Sequence, residues 1–516
     1  MPIHACISDA KGEDAMSTLE SVETERKYDA DLETPLPALG DITGVEQIAN
    51  PVDHHLEAVY FDTADLALAR HRITLRRRTG GTDAGWHLKL PAEQDSRIEI
   101  HAPLGQPETV PEELAERLLV FTRGNELRPT ARIHTRRTLL RLHGSDDLTL
   151  ADFADDHVTA ETLHPVQVER QWREWEIELV HGDQDLLESA EHVVSLAGAT
   201  RSAHASKLAR AFGTAWPLPM PAPPKARPKG SAGDAIVAYM AAQIAEVTTL
   251  DSGVRQGADD AVHRMRSALR RLRSALSAYG KLFDADARSR LKTELKWLTK
   301  VLGKARDAEV LRDRIGELLN TQPDGLLSGP AAAKLTDELE DAFNSGYRQM
   351  LRSLGTKRYF QLLDALEAFR DEPPVTPRAG KKARPVTAKL AAKAIKRVHR
   401  SQKEAARQAG AQRDKALHQV RKDAKRLRHA AEALRDVHGK PAARLARDAQ
   451  KIQKILGEHQ DSVIAQSVLL RLIHDTGGST ENNSAFGRVL AAEEQRATDS
   501  ERRYEKLAKK KRLTSL

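Results

Sequence analysis

Val262-His-Arg-Met-Arg-Ser-Ala-Leu-Arg-Arg-Leu-Arg-Ser-Ala-Leu276 returns 155 residues later as Leu417-His-Gln-Val-Arg-Lys-Asp-Ala-Lys-Arg-Leu-Arg-His-Ala-Ala431. At about 100° per residue, Met265, Leu269, Leu272 and Leu276 share one helix face, and His263, Arg266, Arg270 and Arg273 share another. The second copy repeats this with Val420, Ala424, Leu427 and Ala431 against His418, Arg421, Lys425 and Arg428. Downstream, Val301-Leu-Gly-Lys-Ala-Arg-Asp307 returns as Ile455-Leu-Gly-Glu-His-Gln-Asp461, and each Leu-Gly-x-x-x-Asp reads as a turn. Two matches at nearly one spacing predict a duplicated helical unit of about 140 residues, as two bundles facing each other across a pseudo-two-fold axis.

Four cations on one helix face repel one another. Acids three or four residues away would relieve this, yet none lies between Val262 and Leu276. A bound polyanion would. A histidine opening each cationic face, in register with the arginines, reads as a further phosphate donor. The stretch lacks the interleaved aromatics of base-stacking platforms, so a phosphate chain is preferred over nucleic acid; backbone-only binding to RNA or DNA stays open.

Outward from this repeat, the chain of 516 residues is too long for one core. With 40% apolar, 30% charged and only 4% aromatic residues it reads as folded and largely helical, not disordered, β-rich and secreted, or membrane-embedded. One cysteine, Cys6, excludes an intramolecular disulfide and a cysteine-based zinc site. With no run long enough for a signal peptide or membrane span, the expected compartment is the cytoplasm. Residues 1–220 carry 22 Lys and Arg against 38 Asp and Glu, a net of −16; residues 221–516 carry 59 against 36, a net of +23. The acidic half favours cations and the basic half polyanions, so a polyanion that also chelates metal suits both.

Six prolines between Pro217 and Pro228 make an extended linker. A second break, Asp371 to Pro385, divides the basic half. The expected organisation is a disordered start at 1–16, a first domain at 17–213, a linker at 214–230 and a helical domain at 231–516 with halves near 231–370 and 386–510.

Before the linker, alternating runs predict antiparallel strands at Val22–Tyr28, Glu57–Asp62, Ile73–Arg78, Trp86–Leu90, Arg97–Ile100, Thr135–Leu142 and Trp172–Val180. Glu23-Thr-Glu-Arg-Lys27 and Glu174-Trp-Glu-Ile-Glu178 place only charged groups on one strand face, and Arg76 and Arg78 do so with the opposite sign. Several such faces in one sheet are best explained by a barrel with a charged interior. The predicted fold class is therefore α+β and multidomain: an antiparallel eight-stranded β tunnel, then an all-α domain of two duplicated bundles.

Two resemblances follow. The His-x-x-Arg repeats with their Leu-Gly-x-x-x-Asp followers resemble the CHAD domain, a helical module associated with inorganic polyphosphate, over about residues 231–510. Its second copy departs by replacing Arg306 with Gln460 and supplying His459. Glu23-x-Glu25-x-Lys27 resembles the signature of the CYTH, or triphosphate tunnel, family. Tyr60-Phe-Asp-Thr63, Leu75-Arg76-x-Arg78, Lys89, Arg97-x-Glu99, Glu174-x-Glu176-x-Glu178 and Ser206-Lys207 follow in that family's order.

The CYTH resemblance implies a tunnel that binds triphosphate with Mg²⁺ or Mn²⁺. It assigns the catalytic cations to Lys27, Arg76, Arg78, Lys89, Arg97, Arg137 and Lys207, with Arg132 and Arg136 competing for the place of Arg137. It assigns the metal to Glu23, Glu25, Asp155, Glu174, Glu176 and Glu178, with Asp152 as the alternative to Asp155. The CHAD resemblance assigns polyphosphate to His263, Arg266, Arg270, Arg273, His418, Arg421, Lys425 and Arg428. The residue chemistry agrees, since Arg and Lys can hold phosphate oxygens by charge-assisted hydrogen bonds, whereas carboxylates need hard cations between themselves and phosphate. The expected function is hydrolysis of inorganic tripolyphosphate, coupled to binding of long-chain polyphosphate, in a cytoplasmic and granule-associated protein. The alternatives are a non-catalytic polyphosphate-binding protein and a nucleoside or thiamine triphosphatase. No Gly-rich phosphate loop supports a nucleotide.

Overall fold

A computed structural model describes residues 19–91, 96–218, 226–227, 229–320, 330–475, 480–510, 513–514 and 516. The expected disordered start and five of the six linker prolines lie outside these residues. The chain divides into two compact units, Met1–Met220 and Pro221–Leu516.

Among the described residues the first unit is built on ten strands: β1 Leu19–Ala30, β2 Gln47–Ile48, β3 Val52–Asp62, β4 Thr74–Thr79, β5 Gly85–Pro91, β6 Ser96–Ala102, β7 Arg128–His143, β8 Thr149–Thr162, β9 Val168–Leu179 and β10 Thr200–Arg201. Eight of them close into an antiparallel barrel in the order β1-β6-β5-β4-β3-β7-β8-β9 and back to β1, while β2 and β10 pair at its margin. The fold class read from the charged strand faces is thus the one observed.

Helices accompany the barrel: α1 Ala67–Arg70, α2 Glu112–Thr122, α3 Gln184–Leu196 and α4 Lys207–Phe212. The apolar layers on its flanks lie outside the strands. Tyr28, Phe153, Trp175 and Ile177 pack beneath Leu186, Leu187 and Val194 of α3; Leu75, Trp86, Leu88 and Ile100 pack beneath Leu114 and Leu118 of α2. Successive strand side chains alternate faces, so covering the outer face with helices turns the other set inward. One end is stoppered by α4, whose Leu208 and Phe212 pack with Tyr60, Ile133 and Trp172.

The second unit is helical: α5 Ala232–Gln256, α6 Ala261–Ala278, α7 Ala285–Asn320, α8 Pro330–Leu354, α9 Lys357–Asp371, α10 Ala383–Ala405, α11 Gly410–Glu432, α12 Arg435–His438, α13 Lys440–Asp475 and α14 Thr480–Lys510. Helices α5 to α8 pack in succession, as do α10, α11, α13 and α14, and α6 meets α11. At that meeting the Ser274 hydroxyl lies 3.1 Å from His429 Nδ1, and Tyr279 donates to the Ala430 carbonyl at 2.6 Å. Ser274 and His429 are equivalent positions of the repeat, 155 residues apart, so the pseudo-two-fold axis passes through their contact.

Two details differ from the sequence reading. Gly303 and Gly457 lie inside α7 and α13, so the Leu-Gly-x-x-x-Asp segments are helix, not turns. The second half starts at Ala383, with Pro385 inside the first turn of α10, where a proline deprives the helix of no hydrogen bond. No helix among the described residues is long and apolar enough to cross a membrane.

Candidate active site and basic seam

A cavity of about 270 Å³ runs into the barrel. Its inner wall has two charge clusters. In the deeper one, Lys207 Nζ, on the first residue of α4, lies 2.8 Å from carboxylate oxygens of Asp156, Glu174 and Glu176 alike. Oxygens of these three acids also lie within 4.8 Å of one another. Arg137 reaches Asp156 at 2.7 and 2.6 Å and Glu176 at 2.5 Å, while Lys27 bridges Glu25, at 2.8 Å, and Glu176. Burial opposes every charge here, but Lys207, Lys27 and Arg137 outweigh it and hold Glu176 well below the usual carboxylate range. Asp156, Glu174 and Glu176 in turn overcome the burial of Lys207 and keep it protonated.

The second cluster is short of positive charge. Lys89 pairs with Glu23 and stands 3.6 Å from Glu99. Burial, a hydrogen bond to Glu99 and the nearby Glu178 push Glu23 up to about 8 despite Lys89. Glu178 is raised by burial, with Glu25 and Glu176 adding to it. Beside these acids, Arg76 donates to the Tyr60 hydroxyl at 3.4 Å, and Arg97 donates to the Ala205 carbonyl. Arg78 is pushed down to about 9 by burial and by Arg76 and Arg137. The Nε groups of Arg76 and Arg78 are buried and have no acceptor among the described residues.

Asp155 does not join the acids of the tunnel. It faces outward, where it accepts from Arg173 at 2.8 and 2.9 Å and from Trp175 Nε1 at 3.0 Å. One residue further, Asp156 faces inward, as does Asp152. Among the competing arginines, Arg137 lines the tunnel, while Arg132 and Arg136 are exposed on the other face of β7. The strand pairing Arg137↔Asp156 places those two side by side, a register that the sequence does not print. Glu23, Glu25, Lys27, Arg76, Arg78, Lys89, Arg97, Glu176, Glu178 and Lys207 all line the same cavity, and Glu174 adjoins it through Lys207. The tunnel also brings in Tyr60, Glu99 and Asp156, to which the resemblance assigned no role, and His87, which is buried 2.7 Å from Glu99. For Glu99 and His87 the available signal was strand parity with Arg97 and Lys89.

In the helical unit, Arg266, Arg270 and Arg273 of α6 converge with Arg421, Lys425 and Arg428 of α11. Burial, then Arg266, Arg421 and Arg273, push Arg270 down to about 10; burial, then Arg270, Arg421, Arg428 and Arg266, push Lys425 down to about 6. Asp307 pairs with Arg266 at 3.0 Å and Glu432 with Arg428 at 3.4 Å, but Arg270, Arg273, Arg421 and Lys425 form no ion pair among the described residues. Both glycines of the repeat serve this face. A Cβ on Gly303 would stand 3.3 Å from Arg266 Nη2, and one on Gly457 3.6 Å from Arg421 Nε, so each makes room for an arginine of the neighbouring helix. His263 is exposed and His418 half-buried; burial lowers both, helped by Arg306 and Lys425 at the first and by Lys422 and Arg421 at the second. The histidine at the axis is His429, which burial and Arg428 depress to about 2, leaving it neutral.

Comparison with known proteins agrees with both architectures. The CYTH domain model matches residues 22–212 and the CHAD domain model residues 238–470. The first unit is thus a CYTH domain, a member of the metal-dependent triphosphate tunnel class, and the second a CHAD domain. The chain belongs to the family of proteins that join the two in this order. A relative of the same length class is "Uncharacterized protein Rv2226" of Mycobacterium tuberculosis (strain ATCC 25618 / H37Rv), 37% identical over 487 residues, which cover 92% of this chain and 93% of that one. Among solved structures, PptA from Streptomyces chartreusis is 20% identical with a TM-score of 0.46, over 54% of this chain and all of that one. The CHAD domain from the plant Ricinus communis is 22% identical with a TM-score of 0.45, over 57% of this chain and 99% of that one.

Proposed function

We propose that the tunnel hydrolyses inorganic tripolyphosphate to pyrophosphate and orthophosphate with Mg²⁺ or Mn²⁺, and that the helical unit binds long-chain polyphosphate. The observation that carries the first part is the pairing, in one cavity, of buried arginine Nε donors without acceptors and buried carboxylates without enough cations. A triphosphate answers the first deficit and a divalent cation the second.

The residues fit such a cation: the donors are all carboxylate oxygens, which suit hard ions, and Glu23 at about 8 marks a group that additional positive charge would ionise. Glu23, Glu25 and Glu178 would hold it, with Glu174, Glu176 and Asp156 as a second set once Lys207 turns to phosphate. When bound, the cation supplies charge neutralisation and acidification of water. Arg76, Arg78, Lys89 and Arg97 bind phosphate oxygens, and Arg137 and Lys27 fix the carboxylates. The helical reading rests on Arg270, Arg421 and Lys425, basic side chains gathered without acidic partners among the described residues. Such a ligand pair suits a cytoplasmic protein that associates with polyphosphate granules.

Phosphate release from tripolyphosphate, thiamine triphosphate, ATP and long-chain polyphosphate, with and without Mg²⁺ or Mn²⁺, tests the reading. Glu23→Gln and Glu25→Gln should abolish release while polyphosphate binding persists. Full activity in the double variant would remove the role given to this strand.

A further inference from the structure

Residues 80–84 join β4 to β5 at the end of the barrel opposite the α4 stopper, and Gly81, Thr82 and Asp83 line the cavity. The path needs glycine twice. Gly80 and Gly81 take φ of +78° and +76°; a side chain on Gly80 would run into the His55 carbonyl, and one on Gly81 would stand 2.9 Å from Leu56. The loop is thereby laid across β3 and into the cavity.

Two contacts hold it there. His87 Nε2 lies 2.9 Å from the Asp83 carbonyl, and His87 Nδ1 lies 2.7 Å from Glu99, so a buried side chain of the tunnel wall grips the loop backbone. The Asp83 carboxylate, itself half-exposed, reaches down to the buried guanidinium of Arg78. Asp83 therefore sits where an anion would, against Arg78, which with Arg76 lines the cavity and has a buried Nε with no acceptor among the described residues.

We propose that Asp83 fills a phosphate subsite of the tunnel and weakens its hold on anions, because an anion gains Arg78 only by displacing this carboxylate. The proposal rests on reading the tunnel as a phosphate site. A longer polyphosphate brings further oxygens to Arg76, Lys89 and Arg97 and offsets the lost pair; pyrophosphate and orthophosphate bring fewer. The penalty is the same for every anion that reaches Arg78, so at a given concentration it empties the tunnel of the weaker-binding short anions first, which limits retention of products.

The test is calorimetric titration of the full-length protein with tripolyphosphate, pyrophosphate and orthophosphate in EDTA, for wild type, Asp83→Asn and Asp83→Ala. Asp185→Asn, an exposed acid at the start of α3, serves as a control for net charge. Both Asp83 variants should bind pyrophosphate roughly tenfold tighter, the scale of one charge-assisted hydrogen bond, and tripolyphosphate tighter by a similar factor. In an Arg78→Ala background the Asp83→Asn gain should vanish. Unchanged or weaker pyrophosphate binding, an equal gain from Asp185→Asn, or a gain that survives without Arg78 overturns the proposal. Wild type that binds none of the three anions overturns the phosphate reading, and the proposal with it.

Discussion

Replacing Lys425 with methionine should stabilise the helical unit. In the folded chain this ammonium ionises only below about 6, because it is buried among Arg270, Arg421, Arg428 and Arg266. In the unfolded chain it ionises near its ordinary value of about 10.4. At pH 7 it is therefore neutral when folded and charged when unfolded, and each pH unit of that gap costs about 1.4 kcal/mol. At pH 7 the roughly 3.4 pH units up to about 10.4 would cost about 5 kcal/mol; relaxation of the seam and water penetration around this half-buried side chain reduce this to about 2. The folded pKa is depressed, so the penalty is absent above about 10.4, grows as the pH falls, and levels off below about 6. Methionine keeps the stem packed and removes the penalty. Urea unfolding followed by circular dichroism at the helical band should show a gain of about 2 kcal/mol at pH 7 that shrinks towards pH 9. Polyphosphate restores the charge by supplying counterions, so calorimetry in buffers of different ionisation enthalpy should show proton uptake on binding at pH 7, reduced by about one proton in the variant. A destabilised Lys425→Met, or uptake equal to wild type, refutes the reasoning.

The two adjacent aspartates of β8 should separate cleanly. Asp155→Asn weakens the charge pairing with buried Arg173 and should destabilise the barrel by about 3 kcal/mol or more, read as a lower unfolding midpoint. Asp156→Asn, which loosens equally buried pairs with Arg137 and Lys207, should also reduce tripolyphosphate hydrolysis and Mn²⁺ binding by the folded protein, which Asp155→Asn should leave unchanged. Gly457→Ala should gain up to about 1 kcal/mol from helix propensity, since its methyl group would meet Arg421 at ordinary contact distance; Gly303→Ala, tighter against Arg266, should gain less or nothing, measured by urea unfolding.

Strand parity made the tunnel legible. Once Glu23, Glu25 and Lys27 alternate with Thr24 and Arg26, a barrel that covers one face with helices must turn the other inward, and the same parity carries Arg76 with Arg78 and Glu174 with Glu176. Parity does not carry from one strand to the next without register. Asp155 and Asp156 look alike in sequence, both are buried, and only the pairing of β8 with β7 and β9 decides that one serves Arg173 and the other Lys207. The glycines failed as signals for a related reason: their cause is an arginine on another helix, so local chemistry suggested a turn where packing required a gap. His429 was hidden because its first-copy equivalent is Ser274, and a search for repeated histidines passes over a site where the copies differ.

That Ser274–His429 contact fixes the axis, and it has a consequence for any thread laid along the seam. Donors related by a two-fold read a strand identically from either direction. Nucleic acids and peptides have a head and a tail, so only half of such a cradle can suit them at once. A chain of identical anhydride links has no direction to get wrong. For such a chain, the duplication doubles the number of productive entries without adding a new kind of contact.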